Sequence, residues 1–169
     1  MLLTGTFARS VDEKQRVAIP KPLRDCLSPV ADKPVALYVA PGTDGSLSIF
    51  PDSTFTEQAA RLALSSPNAR DVRDYSRLFY AQAVRVELDK QGRVRLPAEL
   101  VQLAGVNREA GLLVVQDRLE LWDKNRWQDY LGQKLAQYDE IAEAAFAGGS
   151  GARPAVSSMD AEPVVRLPR

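Results

Sequence analysis

One short segment of this chain occurs twice. Residues 11–20 read VDEKQRVAIP, and residues 88–97 read LDKQGRVRLP. Three residue types recur at a single offset of 77 (89 − 12): Asp12 with Asp89, Arg16 with Arg93, and Pro20 with Pro97. An internal repeat constrains the architecture before any single residue is interpreted. Two copies of a short β unit predict a pseudo-symmetric fold.

The same order of elements surrounds each copy. A strand, a polar loop, a second short strand, a helical turn and a two-stranded hairpin are predicted over residues 6–53 and again over residues 83–126. In Ser46–Phe50 apolar and polar residues alternate as in the return strand of a hairpin, and in Val84–Leu88 they alternate as in a half-buried strand. The sequence therefore predicts an α+β fold that is mostly β with flanking helices.

The rest of the chain is predicted to be helical or flexible. Residues 54–82 read as a helical connector that begins with capping-box spacing at Thr54 and Glu57. Residues 127–147 read as a C-terminal helix with an aromatic stripe, which favours core packing over a ligand site. Residues 148–169 are rich in Gly, Pro and Ser, a composition typical of a flexible tail.

Composition narrows the function. The chain has no histidine, which removes the commonest general base and the commonest zinc ligand. Its single cysteine, Cys26, leaves no internal disulfide and no cysteine metal cluster. No apolar run approaches the roughly 20 residues that cross a bilayer. We therefore expect a cytoplasmic protein with no catalytic residue, no metal site and no cofactor, and not an enzyme.

The repeated loops carry most of the functional signal. Aspartate starts turns well, Gly92 can adopt positive φ, and arginine can pair back with aspartate, so one copy has a purely structural explanation. Two copies, each with a lysine inside and an arginine at the exit, favour an anionic and repetitive partner instead. With 22 basic and 22 acidic residues the net charge is zero, so such binding must come from a local patch.

In these residues the chain resembles the MraZ family, bacterial transcriptional regulators encoded by the division and cell-wall gene cluster. That family carries two tandem SpoVT–AbrB modules, each marked by Asp-x-x-x-Arg followed shortly by proline. The segment Leu119–Trp122, the following helix with Trp127, and Gly5 before the first strand are also similar. Loop one departs from the family pattern at Gln15, where glycine is usual, so we expect positive φ to be harder to adopt there.

The resemblance implies both a fold and a function. The fold would be two AbrB-like swapped-hairpin modules that form one pseudo-two-fold barrel. The function would be sequence-specific binding to double-stranded DNA at short promoter direct repeats, with repression as the expected outcome. The active form would be a ring-like homo-oligomer, nucleoid-associated and without a membrane partner.

Chemistry assigns roles to the loop residues. Arginine's planar fork matches guanine O6 and N7, whereas lysine is a point charge suited to phosphate. The predicted base readers are Arg16 and Arg93. The predicted phosphate contacts are Lys14 and Lys90, with Arg9, Lys21 and Arg95 in second rank. The predicted loop-shaping residues are Asp12, Asp89 and Gly92.

Three other functions are compatible with the sequence. An AbrB-like antitoxin would bind DNA through the barrel and a toxin through its tail. An assembly protein would use the loops only to close turns, and the zero net charge favours this slightly. An enzyme would need carboxylates such as Asp71, Asp74 or Asp89, but nothing in the sequence brings them together.

Overall fold

In the computed structural model, which describes residues 4–27, 35–64 and 69–147, eight strands and six helices form a mixed α+β fold. The strands are β1 Thr6–Ser10, β2 Arg16–Ala18, β3 Ala36–Pro41, β4 Leu47–Pro51, β5 Val84–Glu87, β6 Arg93–Arg95, β7 Glu109–Val115 and β8 Arg118–Asp123. The helices are α1 Lys21–Leu27, α2 Asp52–Ala63, α3 Arg70–Gln82, α4 Ala98–Ala104, α5 Lys124–Leu135 and α6 Tyr138–Ala147. The predicted tail, 148–169, lies outside the described residues.

The strand order is symmetric with respect to the two repeats. Counted from either edge of the sheet, the first strand of one repeat is followed by the two hairpin strands of the other repeat. Six of the strands form an antiparallel sheet in the order β1-β7-β8-β4-β3-β5, and β2 pairs with β6 separately. The first strand of each repeat pairs with the hairpin of the other, so Phe7 faces Leu112 and Val84 faces Val39. The two repeats therefore share one sheet.

The main core lies under both repeats. Its fully buried members include Val17 and Leu37 from the first repeat and Val94 and Leu112 from the second. Burying four such side chains stabilises the fold by about 1.5–3 kcal/mol each. Because both repeats contribute to one core, neither repeat has a separate one among the described residues.

The return strand predicted at Ser46–Phe50 is present as β4 and is buried on both faces. Ser48 is buried, as are Leu47, Ile49 and Phe50. The reason is a second cluster, in which Phe50 packs against Phe79 of α3 and Phe55 of α2. These helices cover the face of β4 that carries Ser48 and Phe50.

Helix α2 begins at a different residue from the one that the sequence predicts. Helix α2 begins at Asp52 with Pro51 as its N-cap and no side-chain cap, so the predicted capping box at Thr54 and Glu57 is wrong. Proline at the end of β4 already places the chain at the helix entrance, since its φ of −57° suits that position.

The C-terminal helical region begins earlier than predicted and contains two helices, α5 and α6. Helix α5 follows β8 directly, and Asp123 Oδ1 accepts the N–H groups of Asn125 and Arg126 at its start. The described residues form two compact units that divide between Leu131 and Gly132, within α5. None of the helices in the described ranges is long and apolar enough to cross a membrane.

Candidate nucleic-acid interface

Strands β2 and β6 form a separate two-stranded ribbon. Its central pair, Val17 and Val94, is fully buried, so one face of the ribbon is turned to the core. Side chains alternate along a strand, and the flanking positions therefore share the opposite, outer face. We call this outer face the arginine ribbon, and it carries Arg16, Ala18, Arg93 and Arg95.

Loop 1, residues 12–16, is closed by the side chain of Asp12. The backbone N–H of Asp12 donates to the carbonyl of Arg16 at 3.0 Å, and that of Gln15 donates to the carbonyl of Asp12 at 2.8 Å. Oδ1 of Asp12 accepts the N–H groups of Lys14 and Arg16, each at 2.9 Å. Oδ2 accepts Nε and Nη2 of Arg16, each at 2.7 Å. One carboxylate thus holds both the turn and the guanidinium.

Loop 2, residues 89–93, repeats this geometry. Oδ1 of Asp89 accepts the N–H groups of Gln91 and Arg93 at 2.9 Å. Oδ2 accepts Nε of Arg93 at 2.8 Å and Nη2 at 2.7 Å. The backbone N–H of Gly92 donates to the carbonyl of Asp89 at 2.8 Å. The sequence repeat is therefore also a repeat of hydrogen bonds.

Both aspartates are held in their ionised form. The pKa of Asp12 is lowered to about 2, first because the Arg16 side chain hydrogen-bonds its carboxylate and then because the Arg16 N–H does. The pKa of Asp89 is lowered for the same reasons through Arg93. Each loop is therefore an ion pair at neutral pH, and the two local charges cancel.

The ion pairs use only one edge of each guanidinium. Asp12 takes the Nε–Nη2 edge of Arg16, and Asp89 takes the same edge of Arg93. Within the described ranges, Nη1 of neither arginine has a hydrogen-bond partner. A guanidinium has five N–H donors in a fixed plane, so the Nη1 and Nη2 end still offers a two-pronged donor fork. The side chains are 29% and 27% exposed, which keeps that fork accessible.

The expected difficulty at Gln15 is not found. Gln15 adopts φ +58°, close to the +74° of Gly92 at the matching position. In loop 2 a Cβ at Gly92 would also meet the guanidinium of Arg24, the flexible end of that side chain. Both loops therefore take one shape.

The two loops lie at opposite ends of the arginine ribbon, because each loop precedes its strand and the strands run antiparallel. The cross-strand pairs Arg16–Arg95 and Ala18–Arg93 are two residues apart, which is about 7 Å along the ribbon. Lys14 and Lys90 are exposed, each in its own loop, and their ammonium groups have no ion-pair partner in the described part of the chain.

Arg9 lies apart from the arginine ribbon, on β1 opposite Ala110. It is half-buried, its guanidinium carbon is 5.8 Å from the Phe7 ring centroid, and Nη1 donates to the carbonyl of Ala8 at 3.1 Å. It lines a groove with Ala18 and Lys124. The structure thus brings Arg16 and Arg93 onto one face and leaves Arg9 beside it.

Sequence reasoning placed Arg95 in second rank without knowing its cross-strand neighbour. The repeat aligns it with Ala18, but only the strand register shows that it lies directly opposite Arg16. Sequence reasoning also missed the contact between Arg24 and Gly92. The sequence feature that could have indicated this contact is the glycine, which is present in loop 2 and absent from loop 1. No group of three or more residues suited to holding a metal ion occurs in the described segments.

Comparisons with known proteins identify relatives of this chain. A family model described as "MraZ protein, putative antitoxin-like" matches residues 79–147. A protein of Nocardioides sp. named transcriptional regulator MraZ is 35% identical over 143 residues, which cover 85% of this chain and 95% of that protein. The Thermobifida fusca protein of the same name is 35% identical over 147 residues, covering 87% and 99%.

A third relative has a slightly lower identity. The Finegoldia magna protein, also named transcriptional regulator MraZ, is 31% identical over 142 residues, covering 84% of this chain and 95% of that protein. The alignments therefore span nearly the whole of each relative, beyond the second repeat that the family model covers.

Proposed function

This chain belongs to the MraZ family, and on that premise we propose that it is a transcriptional regulator that binds double-stranded DNA through the arginine ribbon and its two loops. The observation that carries the proposal is the free fork of Arg16 and Arg93. Each aspartate fixes its arginine from one edge and leaves the other edge with the geometry that guanine O6 and N7 accept.

The dimensions of the arginine ribbon suit the DNA major groove. That groove is about 12 Å wide and admits a two-stranded β-ribbon. Arg16 and Arg93 read bases, while Lys14, Lys90 and Arg9 contact phosphates. Asp12, Asp89 and Gly92 shape the loops and do not touch DNA.

The swapped architecture expected of two AbrB-like modules is supported by the strand pairing. We assign the modules to residues 6–53 and 83–126, since the first strand of each pairs with the hairpin of the other. The ribbon is linked to one edge of the sheet, because Val11, which follows β1, bridges to Val17. Strand β6 of the ribbon follows the other edge strand, β5, through loop 2. These links would close the sheet into a pseudo-two-fold barrel.

The biological target follows from the family. We propose that the protein binds short direct repeats upstream of the division and cell-wall gene cluster as a homo-oligomer, and that it represses transcription there. It would act on the nucleoid in the cytoplasm and not as an enzyme. One protomer offers few phosphate contacts, so repeated protomers on repeated boxes would supply the affinity.

The test compares three variants on a G-rich direct-repeat duplex and a base-scrambled duplex. Arg16→Ala should lose about 1–3 kcal/mol of preference for the repeat duplex. Arg16→Lys is the matched control, because it keeps the charge but removes the fork, and should lose the same preference. Lys14→Ala should weaken binding to both duplexes alike. The measurement is fluorescence anisotropy over a salt series.

The alternatives give different results. Equal losses on both duplexes for all three variants would overturn the assignment of Arg16 as a base reader. No binding of the wild type to either duplex at low salt would favour an assembly protein. Co-purification of a small partner protein would favour the antitoxin, which the description of the family model also names.

A further inference from the structure

The arginine ribbon is not symmetric, although its backbone is. At the loop 1 end the cross-strand pair is Arg16 and Arg95, whereas at the loop 2 end it is Arg93 and Ala18. Ala18 and Arg95 occupy equivalent places in the repeat, 77 residues apart (95 − 18). One end of the ribbon thus carries two arginines and the other carries one.

The two arginines at the loop 1 end are close neighbours. The N–H of Leu96 donates to the carbonyl of Gln15 at 2.8 Å, so Arg16 and Arg95 form a non-hydrogen-bonded pair. In such pairs the side chains approach more closely than in hydrogen-bonded ones. Like charges placed directly opposite each other destabilise a sheet. In the free protein the Asp12 carboxylate bound to Arg16 reduces this repulsion.

The charges at this end are not balanced. The carboxylate of Asp12 is bound by Arg16 at 2.7 Å and neutralises that guanidinium. Arg95 is exposed, and no acidic side chain of the described residues pairs with it. The anchored arginine is therefore suited to a fixed base edge. The arginine beside it has no ion pair among the described residues, so its charge is available to a phosphate.

At the loop 2 end the basic residues are placed differently. Arg24 is half-buried against Gly92, and Arg9 is half-buried in its groove beside Ala18. Neither occupies the cross-strand position opposite Arg93, which Ala18 holds. Only Lys90 is an exposed cation of loop 2 itself.

We propose that Arg95 contacts a DNA phosphate beside the base that Arg16 reads, and so makes the loop 1 end the main DNA-binding end of each protomer. This inference rests on the proposed function. It gives the protomer a direction on DNA, because a pseudo-symmetric ribbon with one additional arginine cannot bind equally in both orientations.

The experiment moves the additional arginine from one end to the other. Wild type, Arg95→Ala, Ala18→Arg and the double variant Ala18→Arg with Arg95→Ala are compared on the repeat and scrambled duplexes over a salt series. Arg95→Ala should lower the slope of log K against log salt by about 0.9 for each bound protomer. At 0.15 M salt it should weaken both duplexes by about fivefold. The double variant should stay weaker than wild type, because an arginine at the loop 2 end does not replace Arg95, and Ala18→Arg alone gives the reference for the added charge.

Each result decides the question. Full recovery in the double variant would show that the two ends are equivalent and overturn the inference. An unchanged slope for Arg95→Ala, with normal wild-type binding, would overturn it and leave the proposed function intact. A loss confined to the repeat duplex would make Arg95 a base reader and overturn the phosphate contact. Wild type that binds neither duplex would overturn the proposed function itself.

Thermal melting checks that the fold is intact. Arg95 is exposed and opposite a like charge, so Arg95→Ala should melt at the wild-type temperature or above it. A lower melting temperature would show that Arg95 has a structural role and would overturn the assignment of its charge to DNA.

Discussion

At the scale of single residues, the ion pair in loop 1 makes stability depend on pH. The folded pKa of Asp12, about 2, lies below the ordinary value of 3.8. The ionised carboxylate therefore stabilises the fold fully above about pH 3.8, and this contribution is lost as pH falls through about 2. We expect Asp12→Asn to melt below wild type at pH 7, with the difference narrowing towards pH 2. Circular dichroism melts from pH 2 to 7 measure it.

A matched variant controls for the general effect of removing a carboxylate. Asp129→Asn changes an exposed aspartate of α5 that forms no ion pair with another described residue. Its melting temperature should follow the wild type across the range. A constant gap between Asp12→Asn and wild type from pH 2 to 7 would contradict the role given to ionisation.

Gly92 makes a second prediction at this scale. Gly92→Ala places a Cβ at φ +74°, which costs about 1–2 kcal/mol of backbone strain, and against the guanidinium of Arg24. We expect the free energy of unfolding to fall by about 2 kcal/mol in total, and by about 1 kcal/mol less in an Arg24→Ala background, where the contact is gone. Urea denaturation of the four proteins gives this coupling.

Loop 1 supplies the control for Gly92. Gln15→Ala replaces a residue that already has a Cβ at φ +58°, so the free energy of unfolding should change by less than about 0.5 kcal/mol. Identical losses for Gly92→Ala with and without Arg24 would mean that strain alone sets the requirement for glycine.

At the scale of elements, local patterns predicted what each segment is but not what it pairs with. Apolar periodicity correctly predicted the order of strand, loop, strand, helix and hairpin in both repeats, because that signal lies within a few residues. The pairing of Arg16 with Arg95 depends on contacts across nearly half of the chain, for which alternation within β2 holds no information. Arg95 could therefore be seen in the sequence as an additional arginine, but its position opposite Arg16 could not be predicted.

Burial could not be predicted where another element packs on a strand. The alternation in Ser46–Phe50 predicted a strand, but Ser48 is buried because Phe55 and Phe79 bring helices over that side of β4. The same limit applies to Pro51, whose place at the strand end starts α2 before the capping-box residues. Alternation along a strand indicates that one face of the strand is buried. Whether the second face is also buried depends on which helices pack against it, and the strand sequence does not contain that information.

At the scale of the whole molecule, zero net charge limits how tightly one protomer alone should bind DNA. The two loop ion pairs cancel locally, so the exposed positive charge near the ribbon comes from few side chains, among them Lys14, Lys90 and Arg95. With few phosphate contacts, a protomer alone should bind DNA with Kd in the range of about 10⁻⁴ to 10⁻⁶ M at physiological salt. Tight binding then requires several protomers to engage one DNA molecule.

The last prediction follows from this requirement. A duplex with two repeats on the same helical face should bind about 10²-fold more tightly than a duplex with one, because the second contact becomes intramolecular. Inserting 5 base pairs between the repeats turns the second by about half a helical turn and should remove the gain, since one turn is about 10 base pairs. Anisotropy gives the affinities and analytical ultracentrifugation the number of protomers bound. Equal affinity for all three duplexes would mean that protomers bind independently. A single ribbon would then account for the whole affinity, which would contradict the requirement for several protomers.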